Sequence, residues 1–79
     1  MVDTTYHEFL LGHLAKAEER VALARELVEE QLRVVDDLKE KGQGHAKEDD
    51  LLETMRSTLS VQAEELTVIL AQLGTDNEP

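Results

Sequence analysis

The sequence predicts an all-α protein, an antiparallel two-helix hairpin of coiled-coil type that dimerises into a four-helix bundle. Apolar residues recur at alternating steps of four and three in the first half of the chain and again in the second half. No proline interrupts either series, because the only proline is Pro79. A short glycine-containing segment separates the two series, so we expect one helical domain spanning residues 1–79.

The first series predicts a helix over about residues 4–41. Its core positions fall on a regular heptad. They are Leu10, Leu14, Ala17, Val21, Ala24, Val28, Gln31, Val35 and Leu38. Lys39 and Lys41 stand in the expected last turn, where cations favour the negative end of the helix dipole. Gly42 is the expected left-handed residue that ends the helix.

The segment 42–45 is short enough to predict a tight helix–helix turn. A second helix follows over about residues 46–73, with acidic residues in its first turn and Gly74 after its last core residue. Residues 74–79 have nothing to bury, so we expect a frayed tail. The second heptad consists of Leu52, Met55, Leu59, Gln62, Leu66, Ile69 and Leu73.

Folding the chain at this turn predicts a register in which core residues meet core residues. Leu38 is expected to face Leu52, Gln31 to face Leu59, and Val28 to face Gln62. The polar pair Gln31 and Gln62 then lies in adjacent layers on opposite helices. Buried polar residues at coiled-coil core positions fix register, and we predict that role for this pair.

Apolar residues outside the paired core predict an interaction surface. Leu27 and Val34 widen the stripe of the first helix, and the second helix ends opposite Ala17 in the expected register. The residues before Ala17 would then lack a partner within the chain. The predicted surface consists of Tyr6, Phe9, Leu10, Leu11, Leu14, Leu27 and Val34. A second copy of the chain is the expected occupant, and docking of a different protein is the alternative.

Composition narrows the classes of partner. The formal net charge of −10 in 79 residues disfavours nucleic acid and anionic membrane surfaces, which attract basic proteins. No apolar run approaches the ~20 residues of a membrane span, and the N-terminus does not read as a signal peptide. We therefore expect a cytoplasmic protein. Two helices alone bury little surface, which favours self-association.

The sequence predicts no catalytic, cofactor-binding or metal site. Adjacent carboxylates such as Glu18 and Glu19 point about 100° apart on a helix, so they do not converge on one atom. The three histidines, His7, His13 and His45, lack the spacing of a metal-binding motif and are expected to be solvated or interfacial. We therefore expect no enzyme activity and no cofactor.

The stretch His13-Leu14-Ala15-Lys16-Ala17-Glu18, followed by Val21, resembles a His-Leu-Ala-x-Ala-Glu pattern. That pattern occurs in a group of small uncharacterised two-helix proteins common in alphaproteobacteria. The similarity extends over roughly residues 13–73, but the turn departs from the group's Gly-His-Asp-Thr. The resemblance implies a helical hairpin in a bacterial cytoplasm and implies no activity.

These observations lead to two functional hypotheses. The first is a non-catalytic protein–protein interaction module that self-associates through apolar helix faces. The alternative is an acidic adaptor or inhibitor that binds a basic surface on another protein.

Overall fold

The computed structural model describes residues 4–76, and in that part of the chain it contains two α-helices and no strand. Helix α1 spans Thr4–Glu40 and helix α2 spans Ala46–Asp76. The chain reverses between them at residues 41–45, and the two helices pack against each other. The predicted all-helical fold class is confirmed, and the architecture is that of a helical hairpin.

The core is a single seam of side chains where α1 meets α2. Every buried residue of α1 belongs to the predicted heptad, and Leu14, Val28 and Leu38 complete the heptad as half-buried residues. The buried apolar side chains are Leu10, Ala17, Val21, Ala24, Val35, Leu52 and Leu73. Two of these seven are alanines, so a single hairpin buries few large side chains.

The end of α1 has the hydrogen bonds of a Schellman motif. The amide of Gln43 donates to the carbonyl oxygen of Leu38 at 2.9 Å, and the amide of Gly42 donates to that of Lys39 at 3.1 Å. Gly42 has a φ of +68°, the left-handed conformation predicted for it. The ammonium of Lys41 also pairs with the carboxylate of Asp37 at 2.9 Å. The turn is therefore closed by local main-chain bonds.

Helix α2 begins directly after His45. The amide of Asp49 donates to the carbonyl oxygen of His45 at 2.8 Å, and the Asp49 carboxylate lies 2.6 Å from His45 Nδ1. Glu48 and Asp49 stand in the first turn, as predicted from the helix dipole. The end of α2 differs from the prediction, because the helix continues through Gly74 to Asp76. Gly74 lacks a positive φ, so it extends the helix.

The predicted tail therefore begins too early, since residues 74–76 are helical. A glycine after the last core residue does not end a helix unless it adopts the left-handed conformation. Residues 77–79 of the predicted tail lie outside the described residues.

The pairing of the two helices differs from the predicted register by about one heptad. Gln31 Nε2 donates a hydrogen bond to the main-chain carbonyl oxygen of Glu48 at 3.0 Å. The prediction placed Gln31 opposite Leu59, about 16 Å farther along α2, which a glutamine side chain cannot span. The compact turn explains the shift, because α2 packs on α1 immediately after the reversal. Leu10 comes to the level of Leu73, and both are buried.

The predicted pair of Gln31 and Gln62 is consequently wrong. Gln31 is buried, with 9% of its surface exposed, and its amide bonds the first turn of α2. The Oε1 atom of Gln62 is also buried and has no hydrogen-bond partner. In the observed register the two amides lie several helical turns apart, so they cannot bond each other.

Candidate functional site

Large apolar side chains are exposed along both helices, which makes this surface the main candidate for a functional site. Leu27 is 40% exposed and Phe9 is 60% exposed. Soluble monomers rarely leave contiguous apolar surface open. The exposed large apolar residues are Tyr6, Phe9, Leu11, Leu23, Leu27, Leu32, Val34, Leu51, Val61, Val68 and Leu70.

Eight of these eleven residues fall on one side of the hairpin. On α1, positions 6, 27 and 34 are separated by multiples of seven and share one row, and positions 9 and 23 form the neighbouring row. On α2, positions 61 and 68 share a row beside that of position 51. We call this surface the apolar side. It consists of Tyr6, Phe9, Leu23, Leu27, Val34, Leu51, Val61 and Val68.

The grooves between the helices join the rows of α1 and α2 into one surface. Leu27 lines a groove together with Thr54 and Thr58 of α2. Farther from the turn, His13 and Arg20 line a second groove with Val61 and Val68, among other residues. His13 and Arg20 lie in the row of Leu27, and Thr54 lies in the row of Val61. The exposed apolar rows of the two helices therefore flank the same line of contact.

Two residues of opposite charge lie at the middle of the apolar side. Arg20 of α1 and Glu65 of α2 line the same grooves, together with Val61. Within residues 4–76, no ion pair joins Arg20 to Glu65. Toward the open end, the ring of Phe9 meets the ring of His13 edge-on, with a centroid distance of 4.9 Å. The side thus carries opposite charges at its centre, and Lys16, Glu30 and Asp37 alternate with Phe9 and Leu23 along its outer row on α1.

The remaining exposed apolar residues, Leu11, Leu32 and Leu70, lie on the opposite side of the hairpin. Leu32 is about 140° around α1 from Leu27. Arg25 and Lys39 share the row of Leu11 and Leu32. This second side therefore presents separated apolar residues between charges.

The structure retains some of the predicted interaction surface and corrects the rest. Tyr6, Phe9, Leu11, Leu27 and Val34 are exposed. Two other members of the predicted surface are not fully exposed. In the observed register α2 extends alongside the start of α1 and covers them. Leu10 is a core residue with 2% exposure, and Leu14 is half-buried.

The structure also separates Leu11 from the other exposed members, because it lies on the opposite side. The predicted surface did not include four residues of the apolar side, which are Leu23, Leu51, Val61 and Val68. Phe9 and Leu23, two heptads apart in a row that is otherwise charged, were the available signal.

Among the described residues, no group of three or more histidine, aspartate or glutamate side chains is placed to hold a metal ion. His45 pairs with Asp49 at the turn, and His13 contacts Phe9 at the other end of the hairpin. Neither described helix is both long and apolar enough to cross a membrane.

Comparison of the chain with protein-family models, with curated proteins and with solved structures finds no match.

Proposed function

We propose that this protein is a non-catalytic protein–protein interaction module that self-associates through the apolar side into a homodimeric four-helix bundle. One observation carries the proposal: eight exposed large apolar side chains lie on one side of the hairpin, whereas seven apolar residues are buried in the part of the chain that the structure describes. Burying apolar surface contributes roughly 25 cal/mol per Å², so covering this side offers a large stabilisation that the isolated hairpin lacks.

The bundle geometry follows from the position of the apolar side relative to the core. The rows of Leu27 on α1 and of Leu51 on α2 lie next to the buried seam. Each helix therefore has an apolar stripe that is wider than the stripe of a helix in a two-stranded coiled coil. A second hairpin placed on this side would give each helix two neighbours, which is the environment of a helix in a four-helix bundle. The resemblance of residues 13–73 to bacterial two-helix proteins supports placing this module in a bacterial cytoplasm.

The test is the oligomeric state of two matched leucine variants. Leu27 and Leu32 are both on α1 and are 40% and 38% exposed, but they lie on opposite sides. Leu27→Asp would bury a carboxylate in the proposed interface, whereas Leu32→Asp stays in water. We expect sedimentation velocity to give a dimer for wild type and Leu32→Asp, and a monomer for Leu27→Asp.

A wild-type chain that stays monomeric at about 100 µM, well above a micromolar dissociation constant, contradicts the proposal. Equal effects of the two substitutions would also contradict it, because they would show that the apolar side is not the contact. Circular dichroism on each variant separates loss of association from loss of helix.

A second candidate function is an acidic adaptor that binds a basic surface on another protein. The net charge of −10 favours it, since such a field attracts basic partners. This function predicts that capture of a basic protein weakens steeply with added salt. It does not require the apolar side, so Leu27→Asp would leave the capture unchanged.

A further inference from the structure

We infer that the second copy is related to the first by a two-fold axis parallel to the helices, and that Arg20 and Glu65 select this arrangement. In it, α1 of each chain packs against α2 of the other, and both turns lie at the same end of the bundle. The inference rests on the proposed self-association through the apolar side. It adds the orientation of the two chains and the residues that determine it.

An axis parallel to the helices keeps every residue at its own level along the hairpin. Arg20 shares its grooves with Val61 and Glu65 of its own α2, so the partner's Glu65 lies at the level of Arg20. Leu23, one helical turn toward the reversal, then faces the partner's Val61. At this level of the bundle, a charge of one chain thus meets an opposite charge of the other, and an apolar residue meets an apolar residue.

Near the turn, the same axis brings Val34 to the level of the partner's Leu51. The register set by the hydrogen bond from Gln31 to Glu48 places these two positions on neighbouring levels. Apolar contacts therefore continue to the end of the bundle that carries the turns.

An axis perpendicular to the helices gives a different set of contacts. It packs α1 against the partner's α1 in the reverse direction, and α2 against the partner's α2. Arg20 lies near the middle of the apolar side, so centring the overlap places it against the partner's Arg20, and Glu65 near the partner's Glu65. Like charges brought together in a desolvated interface strongly disfavour association. The charged layer therefore discriminates against this packing.

Repulsion between the acidic turns disfavours the parallel axis, but this effect is weaker than that of the central charges. Residues 36–53 contain seven acidic and three basic residues, a net charge of −4, and the parallel axis brings two such segments to one end. Glu40, Asp50 and Glu53 are exposed, so salt screens them over about 8 Å at physiological ionic strength. Buried interfacial charges are screened much less, so the central pair determines the orientation.

Charge reversal tests the pairing. Arg20→Glu and Glu65→Arg each place like charges opposite one another twice in the homodimer, so we expect each variant alone to dimerise at least ~10-fold more weakly than wild type. Mixing the two variants restores opposite charges at both places. We therefore expect native mass spectrometry of the mixture to show mainly the heterodimer.

Matched substitutions on other surfaces control for net charge. Arg33 and Glu53 are exposed and lie away from the apolar side. Arg33→Glu and Glu53→Arg should change dimerisation far less than the reversals of Arg20 and Glu65, and they should show no preference for each other on mixing. A purely intrachain role of Arg20 and Glu65 predicts no heterodimer preference, and that result would overturn the inference.

A distance measurement tests the orientation without touching the interface. The chain has no cysteine, and Gln43 is exposed in the turn, so Gln43→Cys accepts a single spin label. Adjacent helices pack 8–10 Å apart, so the parallel axis predicts labels within about 20 Å. The perpendicular axis predicts about 60 Å, because the turns then lie at opposite ends.

The outcomes distinguish the two proposals. A monomeric wild type overturns the proposed function and, with it, the arrangement. A wild-type dimer with labels about 60 Å apart, or without charge complementation on mixing, overturns the arrangement alone. A short distance together with a preferred heterodimer supports both.

Discussion

The side-chain amide of Gln31 donates a 3.0 Å hydrogen bond to the main-chain carbonyl of Glu48, so a buried residue of α1 is bonded to the first turn of α2. A slide of one heptad would move this acceptor about 10 Å away. The rest of the seam is mostly aliphatic and would tolerate such a slide. This bond is therefore the feature that distinguishes the observed register from its neighbours.

Gln31→Leu should loosen the register with little loss of stability. The Glu48 carbonyl keeps its helical acceptor role, and leucine preserves the buried volume, so we expect the free energy of unfolding to stay within ~1 kcal/mol of wild type. Cysteine pairs report the register by disulfide formation, which requires Cα atoms about 4.4–6.8 Å apart. The pair Ala24→Cys with Leu59→Cys should close in both backgrounds.

A second cysteine pair, Ala24→Cys with Leu66→Cys, is the control for this prediction. It matches the register shifted by one heptad, so it should close only when Gln31 is replaced by leucine. If it stays open in the Gln31→Leu background, the hydrogen bond to Glu48 does not set the register.

The sequence was sufficient to predict the helices and their buried faces, but not the register. A slide of seven residues places heptad core positions against heptad core positions again, so Val35 and Leu38 have apolar partners in the predicted register as well. The deciding contact uses a main-chain carbonyl, which no side-chain pattern reveals. The observed reversal at residues 41–45 is close to the predicted turn at residues 42–45, so the length of the turn did not reveal the register.

The apolar side was also predictable only in part, because its full extent depends on the register. The width of the stripe on α1 identified Leu27 and Val34 without knowledge of the register. Whether residues near the N-terminus are covered depends on where α2 ends alongside them, so Leu10 was assigned to the wrong environment. Joining Val61 and Val68 to Leu27 requires knowing which rows flank the same groove, and that information comes from the packed hairpin.

Gln62→Leu should stabilise the protein. Gln62 Oε1 is buried without a hydrogen-bond partner, and an unsatisfied buried polar group costs ~1–3 kcal/mol. Leucine would match the side chains beside it in the heptad, so we expect the free energy of unfolding to rise by about 1–2 kcal/mol. Urea unfolding at one fixed protein concentration below the dimer dissociation constant measures this change.

Gln72→Leu is the comparison for Gln62→Leu, because Gln72 is exposed. It should change the free energy of unfolding by less than ~0.5 kcal/mol. Destabilisation by Gln62→Leu would show that its amide has a role in the folded state that the unpartnered oxygen does not indicate.

Replacing glycine by alanine should have opposite effects at two positions. Gly42 has a φ of +68°, which alanine adopts only with strain, so Gly42→Ala should lower the free energy of unfolding by about 1–2 kcal/mol. Gly12 lies within α1 with open space around its Cα, so Gly12→Ala should raise it by roughly 0.5–1 kcal/mol. Thermal unfolding of both variants under identical conditions compares them.

Apart from the adjacent residues and the local helix backbone, no atom lies within 4 Å of the Cβ that either substitution adds, so a clash with a neighbouring side chain or helix does not enter the comparison. The sign of each effect then reports main-chain conformation alone. A neutral Gly42→Ala variant would mean that the end of α1 tolerates a different turn in place of the Schellman motif.

Added salt should strengthen the proposed dimer. Each chain carries a net charge of −10, so association brings like net charges together. Raising the salt from about 0.1 M to about 1 M shortens the Debye length from about 10 Å to about 3 Å. This change should screen the repulsion more than it weakens the contact proposed between Arg20 and the partner's Glu65. Sedimentation equilibrium in NaCl should therefore give a dissociation constant that falls as salt rises.

The double variant Asp50→Asn, Glu53→Gln removes two exposed charges near the turn, so it should reduce the dependence of the dissociation constant on salt. An acidic adaptor bound to a basic partner has the opposite salt dependence, and a wild-type dimer that dissociates as salt rises would show that net repulsion does not control association.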